Sequence, residues 1–499
     1  MGNQYQAYYT HSYPIVSYML NCLKVETNNI VLEPSAGDGV LIEALLNKHE
    51  DIVIDAYELH KEAVSLLTKK FASKNEVRIL HEDTLTSRRL SKMVSNGGYY
   101  DRIIANPPYG AWQDLDRRKA LKQSYSGFYV KETYSLFLYR CIQLLKDQGR
   151  LVFIIPDTFL NLHRHLELRK FILRSTKIQE LILFPSSFFP EVNFGYSNLC
   201  IITLERCKSK ADCLDNSFPI FSTLKSVEEL TEFNKTNIQK QMCKQYEIIQ
   251  NPDEALLVND NPKVLEVIRN STLRIGDIAN CVTGFYSGND KRFLKRSPEL
   301  KSGKRYSKYE QVDMNLVRQK LKQSDLNGIS DEACFIPIVK GGSVPYLKSN
   351  DWFMNWSVEA VDHYKKDKKA RFQNSSYYFQ DGIGVPMVSS KQITASLING
   401  RLFDQSIVGI FPKEREMTFL LLAFFNSKTC NTIIRTINPT ANNSANYIKK
   451  IPFLFQDCVA SDEIVEMVQN ILDDLSYKKA FNTSIQMKID NLIASIYGF

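Results

Sequence analysis

The sequence predicts an α/β fold, with a Rossmann-like, mostly parallel sheet in the first half of the chain and a mixed α+β region in the second. Short β-branched runs alternate with longer helical patterns from residue 30 to about residue 205, which is typical of a sheet covered by helices. Polar segments rich in Asn, Ser, Lys and aromatic residues then replace this rhythm. Seven strands are predicted, at residues 30–32, 52–54, 78–80, 102–104, 151–155, 181–184 and 199–202.

At 499 residues the chain is too long for one ordinary core, since single domains hold roughly 100–200 residues. Changes of composition predict three parts: residues 1–250, residues 251–460, and a helical segment at 461–499 that packs on the preceding domains. No apolar run approaches the ~20 residues that span a bilayer, and the polar N-terminus lacks the pattern of an export signal. We therefore expect a cytoplasmic protein that does not contact the membrane.

The charge and the cysteines narrow the class of protein further. A net charge of +8 favours a polyanionic partner. The ten cysteines include no Cys-x-x-Cys pair, so we expect reduced, structural thiols and no metal site. His163 and His165 are two residues apart and would not face each other on a helix, so we expect surface histidines there and not metal ligands.

The first predicted strand runs into a turn with two glycines, after which a helical pattern begins at Val40. Glycines there allow the backbone to approach a ligand closely. Carboxylates in the turn would repel a phosphate but attract the cationic α-ammonium group of a methionine moiety, which points to S-adenosylmethionine. The predicted cofactor turn consists of Glu33, Pro34, Ser35, Ala36, Gly37, Asp38 and Gly39.

The next two predicted strands also end in carboxylates. Glu58 follows the second strand, where folds of this type hydrogen-bond the ribose hydroxyls of a nucleotide. Asp83 follows the third strand and is expected to accept a hydrogen bond from the adenine amino group of the cofactor. Because the carboxyl ends of the strands lie at one edge of the sheet, both side chains are expected at the same site.

The fourth predicted strand ends in Asn106-Pro107-Pro108-Tyr109, the most specific motif in the chain. An exocyclic amine is a weak nucleophile because its lone pair is delocalised into the ring. Two acceptors, the Asn106 side-chain oxygen and the Pro107 carbonyl, would bind its two hydrogens and free the lone pair, and the prolines would hold that carbonyl rigidly. Tyr109 would stack on the base. The same motif also serves methyl transfer to a glutamine amide or a guanine amine, so the acceptor stays open at this point.

Together these motifs resemble the gamma-class N6-adenine DNA methyltransferases of TaqI type, in which cofactor motifs and the catalytic motif precede a target recognition domain. The resemblance implies that Tyr9 and Thr10 belong to an N-terminal motif that reaches the methionine part of the cofactor. It also implies that the Phe137 ring packs on the cofactor adenine and that Phe189 stacks on the flipped base, opposite Tyr109. Two neighbouring rings could replace Phe189, namely Phe188 and Phe194.

The function implied is site-specific N6-methylation of adenine that is flipped out of double-stranded DNA, by a protein that acts as a monomer on DNA. Such an enzyme either accompanies a separately encoded restriction endonuclease or acts alone. Two alternatives remain, an RNA or protein-glutamine methyltransferase and a non-catalytic DNA specificity subunit. Cations at 116–122 could hold phosphates beside the pocket. Residues that could read bases include Lys291, Arg292, Lys340, Lys391, Gln392 and Asn442.

Overall fold

The chain divides into two compact units, Met1–Asp260 and Asn261–Phe499. The division lies ten residues beyond the boundary placed at residue 250 from the sequence, and residues 461–499 belong to the second unit. This computed structural model describes residues 11–110, 115–188, 198–222, 224–231, 240–300, 306–389, 391–455, 460–477 and 479–499.

The first unit alternates strands and helices in chain order, as the sequence predicts. Its helices are α1 (Tyr13–Leu23), α2 (Val40–Lys48), α3 (Lys61–Lys70), α4 (Arg88–Ser95), α5 (Leu115–Ser124), α6 (Tyr134–Leu144), α7 (Leu166–Ser175), α8 (Lys210–Asp215) and α9 (Gln245–Ile248). Its strands are β1 (Ile30–Glu33), β2 (Val53–Glu58), β3 (Val77–His81), β4 (Tyr100–Ala105), β5 (Leu145–Pro156), β6 (Thr176–Pro185), β7 (Asn198–Arg206), β8 (Ser217–Phe221) and β9 (Lys240–Lys244).

The described strands of this unit form one nine-stranded sheet in the order β3-β2-β1-β4-β5-β7-β6-β8-β9. Strands β1 to β5 are parallel to one another, whereas β7 lies antiparallel between β5 and β6. The strand order reverses between β1 and β4, because β2 and β3 lie on one side and β5 on the other. In doubly wound sheets, ligands bind in the crevice that opens at such a switch point.

The predicted Rossmann-like α/β fold is therefore confirmed, and each of the seven predicted strands is present. Strands β8 and β9 extend the sheet beyond residue 206, where the sequence had suggested that the βα rhythm stops. The centre of the sheet is fully apolar, since residues 151–155 of β5 have no exposed surface. A continuous hydrophobic core thus fixes the strand ends that carry the candidate site.

The second unit is mixed α+β, which confirms that part of the prediction. Its described strands form two four-stranded sheets, in the orders β10-β17-β14-β15 and β11-β13-β12-β16. The strands are β10 (Ala279–Thr283), β11 (Leu294–Arg296), β12 (Phe335–Val339), β13 (Trp352–Asn355), β14 (Ile383–Pro386), β15 (Ser396–Leu397), β16 (Leu402–Phe403) and β17 (Ile407–Pro412). The helices are α10 (Pro262–Asn270), α11 (Ile275–Ile278), α12 (Asp290–Phe293), α13 (Val358–Lys366), α14 (Met417–Phe425), α15 (Lys428–Ile437), α16 (Ala445–Ile448), α17 (Ala460–Ser476) and α18 (Thr483–Tyr497).

The two terminal helices pack inside this second unit. Helix α17 contacts α14 and α18 contacts α15. The Tyr497 ring stacks on Phe424 with the ring centroids 5.3 Å apart, and its hydroxyl donates to the Pro452 carbonyl. Residues 461–499 are therefore part of the core of the second unit. No helix in the described part of the chain is long and apolar enough to cross a membrane.

Candidate cofactor and catalytic site

The candidate site lies where the carboxyl ends of β1 and β4 meet. Leu32 of β1 pairs with Ile103 of β4 in parallel register. The turn after β1 begins two residues beyond Leu32, and the Asn106–Tyr109 segment begins three residues beyond Ile103. Both therefore leave adjacent strands, which in sheets lie about 4.8 Å apart. The topology brings together the two motifs that the sequence predicts for cofactor binding and for chemistry.

The turn after β1 takes its shape from its two glycines, which both have positive φ angles, 56° at Gly37 and 81° at Gly39. A Cβ atom on Gly39 would lie 2.7 Å from the Phe71 ring and 2.8 Å from the Leu67 side chain. The conformation and the neighbours therefore both favour glycine at this position. The Gly39 carbonyl accepts a hydrogen bond from the Glu43 amide, which begins helix α2 directly after the turn.

Hydrogen bonds join the turn to the ends of the neighbouring strands. The Ala36 amide donates to the Tyr57 carbonyl at 2.9 Å, and the Thr84 hydroxyl donates to the Pro34 carbonyl at 2.6 Å. Glu58 accepts hydrogen bonds from three backbone amides, those of Gly37, Leu59 and His60, at 2.8–2.9 Å. These bonds orient the Glu58 carboxylate during folding and reduce its freedom before any ligand binds.

Glu33 is the most buried carboxylate of the site, with 1% of its surface exposed. Burial, followed by the charge of Glu58, raises the pKa of the Glu33 carboxyl well above its ordinary value. Its Oε2 atom and the Ser35 hydroxyl are both buried and make no hydrogen bond to any described residue. A buried cation or hydrogen-bond donor would satisfy these atoms, so the site fits the α-ammonium group of S-adenosylmethionine.

Asp83 has partners that the sequence did not predict. One carboxylate oxygen accepts from the Leu85 amide at 3.0 Å, and the other lies 3.0 Å from the guanidinium of Arg117 in α5. Both charged side chains are largely buried, at 14% and 19% exposure. Arg117 was expected among the cations that hold phosphates, but in this structure it is paired with a cofactor-site carboxylate. Asp38 lies at the rim of the site, 3.1 Å from the His11 ring.

The catalytic segment is held from behind by helix α6. The Thr133 hydroxyl, one residue before that helix, donates to the Pro108 carbonyl at 2.7 Å. The role predicted for the Pro107 carbonyl, which directly precedes this bonded carbonyl, stays a prediction. The Asn106 side-chain oxygen is buried, and Tyr109 is 1% exposed with its hydroxyl 3.3 Å from the Ile154 carbonyl. A base that stacked on Tyr109 would have to displace the groups that cover this ring.

The aromatic candidates differ in what the structure describes of them. Phe137 lies in α6 with 5% exposure, within the core that supports the site. Phe188 is partly buried and packs against Phe184, with stacked rings whose centroids are 5.7 Å apart. Three other predicted residues lie outside the described ranges, as does one alternative: Tyr9, Thr10, Phe189 and Phe194.

Asp157 and Thr133 belong to the site but were not predicted from the sequence. Asp157 directly follows β5, the neighbour of β4, and it accepts a hydrogen bond from Asn198 at 3.1 Å. Burial raises the pKa of the Asp157 carboxyl to about 6. Its position at a strand end was a usable signal, because Glu33, Glu58 and Asp83 were found in this way. Thr133 gave no such signal, since its partner is 25 residues distant in the chain.

His165 corrects a further expectation, because it is 1% exposed and not a surface residue. Its ring is 3.3 Å from the Tyr134 hydroxyl, and burial lowers the pKa of His165 to about 3. His163 is exposed, as expected, and pairs with Asp253 at 2.9 Å. Within the described ranges, no group of three or more His, Cys, Asp or Glu side chains is arranged to hold a metal ion.

Comparison with known proteins identifies the first unit. Residues 26–189 match the family model described as Eco57I restriction-modification methylase. The type II methyltransferase M.AccI of Acinetobacter calcoaceticus is 29% identical over 177 residues, which cover 34% of this chain and 31% of that protein. The adenine-specific methyltransferase PglX of Lacticaseibacillus casei (strain Zhang) is 20% identical over 460 residues, which cover 89% of this chain and 35% of that protein. The chain thus spans about a third of the length of these curated relatives.

A solved structure extends the similarity of fold to both units. A nuclease-deletion mutant of the Type ISP restriction-modification enzyme LlaGI, in complex with a DNA substrate mimic, matches with a TM-score of 0.52 at 11% identity. The match covers 92% of this chain and 53% of that chain. The family model confirms, over residues 26–189 of the first unit, the predicted resemblance to restriction-modification methyltransferases.

Proposed function

We propose that this chain, with its restriction-modification methylase domain, transfers a methyl group from S-adenosylmethionine to the exocyclic amino group of adenine in double-stranded DNA. One observation carries the proposal. The Asn106-Pro107-Pro108-Tyr109 segment and the carboxylate-lined glycine turn leave adjacent parallel strands at the switch point of the sheet. An amine-binding motif therefore adjoins a site suited to a cationic nucleotide.

The residues of the turn would hold the cofactor. Glu33 would pair with the α-ammonium group, whose positive charge matches its buried carboxylate. Glu58, already oriented by three amides, would accept from the ribose hydroxyls. Asp83 would accept from the adenine amino group, and Phe137 would pack on the adenine ring. When bound, S-adenosylmethionine supplies an electrophilic methyl carbon attached to a sulfonium.

The catalytic segment would prepare the acceptor amine. The Asn106 side-chain oxygen and the Pro107 carbonyl would each accept one amino hydrogen, which localises the nitrogen lone pair and aims it at the methyl carbon. Thr133 fixes the Pro108 carbonyl, so the adjoining Pro107 carbonyl would not need to reorient. The excess proton would leave after the carbon–nitrogen bond has formed, and no covalent enzyme intermediate is required.

A target adenine must leave the base stack to reach this segment, at a cost of a few kcal/mol. Stacking on Tyr109, with Phe189 on the opposite face, would offset part of this cost. Three basic side chains of α5, those of Arg118, Lys119 and Lys122, are available to hold phosphates near the flipped nucleotide. Arg117 is excluded from this role because it is paired with Asp83.

The second unit supports DNA over the alternative acceptors. It contributes residues 261–499, almost half the chain, and a protein that methylates one glutamine or a small RNA would have less need of it. The intact catalytic motif argues against a non-catalytic specificity subunit. We propose that the enzyme acts as a monomer on DNA, as the modification activity of a restriction system with a separately encoded endonuclease or alone.

The test compares DNA from cells that lack adenine methylation and express the wild-type chain, Asn106→Ala or Asn96→Ala. Asn96 is exposed and distant from the motif in sequence, so its replacement is the matched control. We expect N6-methyladenine at one short sequence motif with the wild type and the control, and none with Asn106→Ala. Purified Asn106→Ala should retain its unfolding temperature. Equal methylation by Asn106→Ala, or label from the cofactor in RNA or glutamine and not in DNA, would refute the proposal.

A further inference from the structure

One region of the second unit is almost free of acidic residues. Residues 382–456 contain three, whereas a stretch of 75 residues at the average of this chain, 55 in 499, would contain roughly eight. All three lie between residues 404 and 416, so 382–403 and 417–456 contain none. The same 75 residues contain eight Lys or Arg residues. Neither acid-free stretch therefore carries a carboxylate that would repel a polyanion.

The fold brings the two acid-free stretches together as a pair of loops. We call residues 387–389 and 391–392, which follow β14, together with residues 438–444, which follow α15, the paired loops. Val388 and Asn442 form an antiparallel bridge. The Ser389 amide donates to the Ala441 carbonyl at 2.9 Å, and the Asn443 amide donates to the Met387 carbonyl at 2.7 Å. The loops therefore lie side by side like the two strands of a short ribbon.

Arg435, in the last turn of α15, holds the two loops together through hydrogen bonds, and we call this arrangement the clamp. Its guanidinium donates to the carbonyls of Thr440 and Ser389, at 2.7 and 2.8 Å, and to the side chain of Asn443 at 3.1 Å. Asn443 is fully buried and donates in turn to the Pro386 carbonyl. Most of these bonds end on backbone carbonyls, so the clamp does not depend on the side chains at the tip.

The tip of the paired loops exposes three side chains of different chemistry. Val388 has 70% of its surface exposed, and Lys391 and Asn442 are also exposed. Among the described residues, neither the side-chain amide of Asn442 nor the ammonium of Lys391 has a hydrogen-bond or ion-pair partner. An amide, a cation and a methyl pair are groups that bind the edges of adenine, guanine and thymine in the major groove.

Two other candidates are bonded to residues of the second unit. Lys340 lies 2.7 Å from Asp290 and 2.8 Å from Asp404, and its ammonium pairs with these two carboxylates. Gln392 is exposed, but its side-chain amide donates to the Asn426 carbonyl at 3.1 Å. The structure thus distinguishes candidates whose side chains are bonded to other residues of the second unit from candidates whose side chains are exposed at the tip of the paired loops.

We propose that the paired loops read base edges in the major groove of the DNA substrate, with Val388, Lys391 and Asn442 as the contacting side chains. This inference rests on the proposed function, because it assumes that the chain methylates duplex DNA. The major groove, about 12 Å wide, admits a two-stranded ribbon, and the absence of carboxylates in both loops removes repulsion by the phosphates on either side.

The experiment uses the full-length chain and single alanine substitutions of Val388, Lys391 and Asn442, with the triple substitution as the strongest case. Lys428→Ala and Gln380→Ala are the matched controls, since both remove exposed side chains of the second unit outside the paired loops. The wild-type methylome first defines the target motif. Methylation rates are then measured on a duplex with that motif and on duplexes with one base pair changed.

We expect Asn442→Ala and Val388→Ala each to reduce selectivity at one position of the motif, by roughly ten- to a hundredfold for the amide. Lys391→Ala should relax one position of the motif. Weaker binding to every duplex, with a slope of log affinity against log salt lower by about one, would show a phosphate contact and contradict the role proposed for Lys391. The controls should behave as the wild type. Unfolding temperatures and cofactor affinities should be unchanged throughout.

A triple variant that methylates the same motif with wild-type selectivity and salt dependence overturns the inference, and the function proposed above then still stands. A change in oligomeric state without a change in selectivity also overturns it, because the loops would then bind a second copy. Absence of methylation by the wild type instead refutes the proposed function itself. If the triple variant does not fold, the three single variants decide.

Discussion

At the scale of single residues, the site is dominated by carboxylates that folding places close together at strand ends. Glu33 is almost fully buried beside Glu58, and its raised pKa reflects this environment. A positively charged ligand relieves the repulsion between the two groups, so the arrangement selects for cations. The identity of these residues follows from the sequence, because each one ends a predicted strand.

Glu33→Gln should weaken cofactor binding by roughly ten- to a hundredfold, since hydrogen bonds to charged groups contribute about 1.5–3 kcal/mol. Burial favours the protonated carboxyl in the free protein, whereas the bound cation favours the carboxylate. Binding to the wild type therefore releases a proton and strengthens as the pH rises. Calorimetry at pH 6, 7 and 8 should show this trend for the wild type and for the exposed control Glu50→Gln, and its absence in Glu33→Gln.

Asp157→Asn should raise the free energy of unfolding, relative to that of the wild type, by more at neutral pH than at acidic pH. The pKa of Asp157 is raised from 3.8 to about 6, so the folded state binds the proton more tightly than the unfolded chain. The wild type therefore loses stability as the pH rises through this interval, whereas asparagine does not ionise. Urea unfolding at pH 4 and 7.5 measures the difference, with the exposed Asp260→Asn as control. If the difference in unfolding free energy between the wild type and Asp157→Asn does not change with pH, the raised pKa of Asp157 is contradicted.

Other residues could not have been placed from sequence. His165 was expected at the surface because histidines two apart make a poor metal site, but that reasoning says nothing about burial. Its burial depends on Tyr134, which lies 31 residues away in the chain. The ion pair between Arg117 and Asp83 joins a helix and a strand end 34 positions apart, and no local pattern signals it.

At the scale of secondary-structure elements, the β-branched runs of the sequence predicted seven strands, and the structure confirms each of them. Six of the seven predicted strands lie inside the sheet, and the seventh, β3, lies at one edge. The two that were missed are β9, at the other edge, and β8, which lies next to it. β8 is apolar but interrupted by Pro219, and β9 reads Lys-Gln-Met-Cys-Lys, so neither is a β-branched run. Prolines and lysines are typical of edge strands, where they oppose pairing with another chain.

Gly39→Ala tests the turn that joins β1 to α2. Left-handed backbone costs a non-glycine residue roughly 1–2 kcal/mol, and overlap of the new methyl with Phe71 and Leu67 adds to this cost. Gly97→Ala is the matched control, because Gly97 has a similar φ of 87° but a Cβ atom there would meet no other atom within 4 Å. We expect Gly39→Ala to lower the free energy of unfolding more than Gly97→Ala, as measured by urea denaturation. Equal losses would mean that the neighbours accommodate the methyl.

At the scale of the whole molecule, the two units carry different features. Every described residue of the candidate cofactor and catalytic site lies before Asp260. Residues 382–456, which are depleted in acidic residues, lie entirely in the second unit. Each unit has its own sheet or sheets. The sequence predicted three parts from its change of composition, whereas the chain divides into two units, and the terminal helices could be assigned to the second unit only from their contacts with α14 and α15.

Residues 1–260 alone should therefore bind S-adenosylmethionine with an affinity within a few-fold of that of the full chain, but should not methylate DNA at a defined motif. Isothermal titration and circular dichroism of the fragment measure cofactor binding and folding. The same fragment with Glu33→Gln is the control for specific binding. A folded fragment without cofactor affinity would show that the second unit contributes to the cofactor site.

The clamp formed by Arg435 has a consequence for how such a protein can diversify. Because the guanidinium grips backbone carbonyls, the loops keep their shape whichever side chains occupy positions 388, 391 and 442. Exchange of these three side chains alters what the surface contacts without a change in the scaffold or in the catalytic residues of the other unit. On the proposal that the paired loops contact DNA, new target preferences would arise by single substitutions that leave stability and the candidate catalytic site intact.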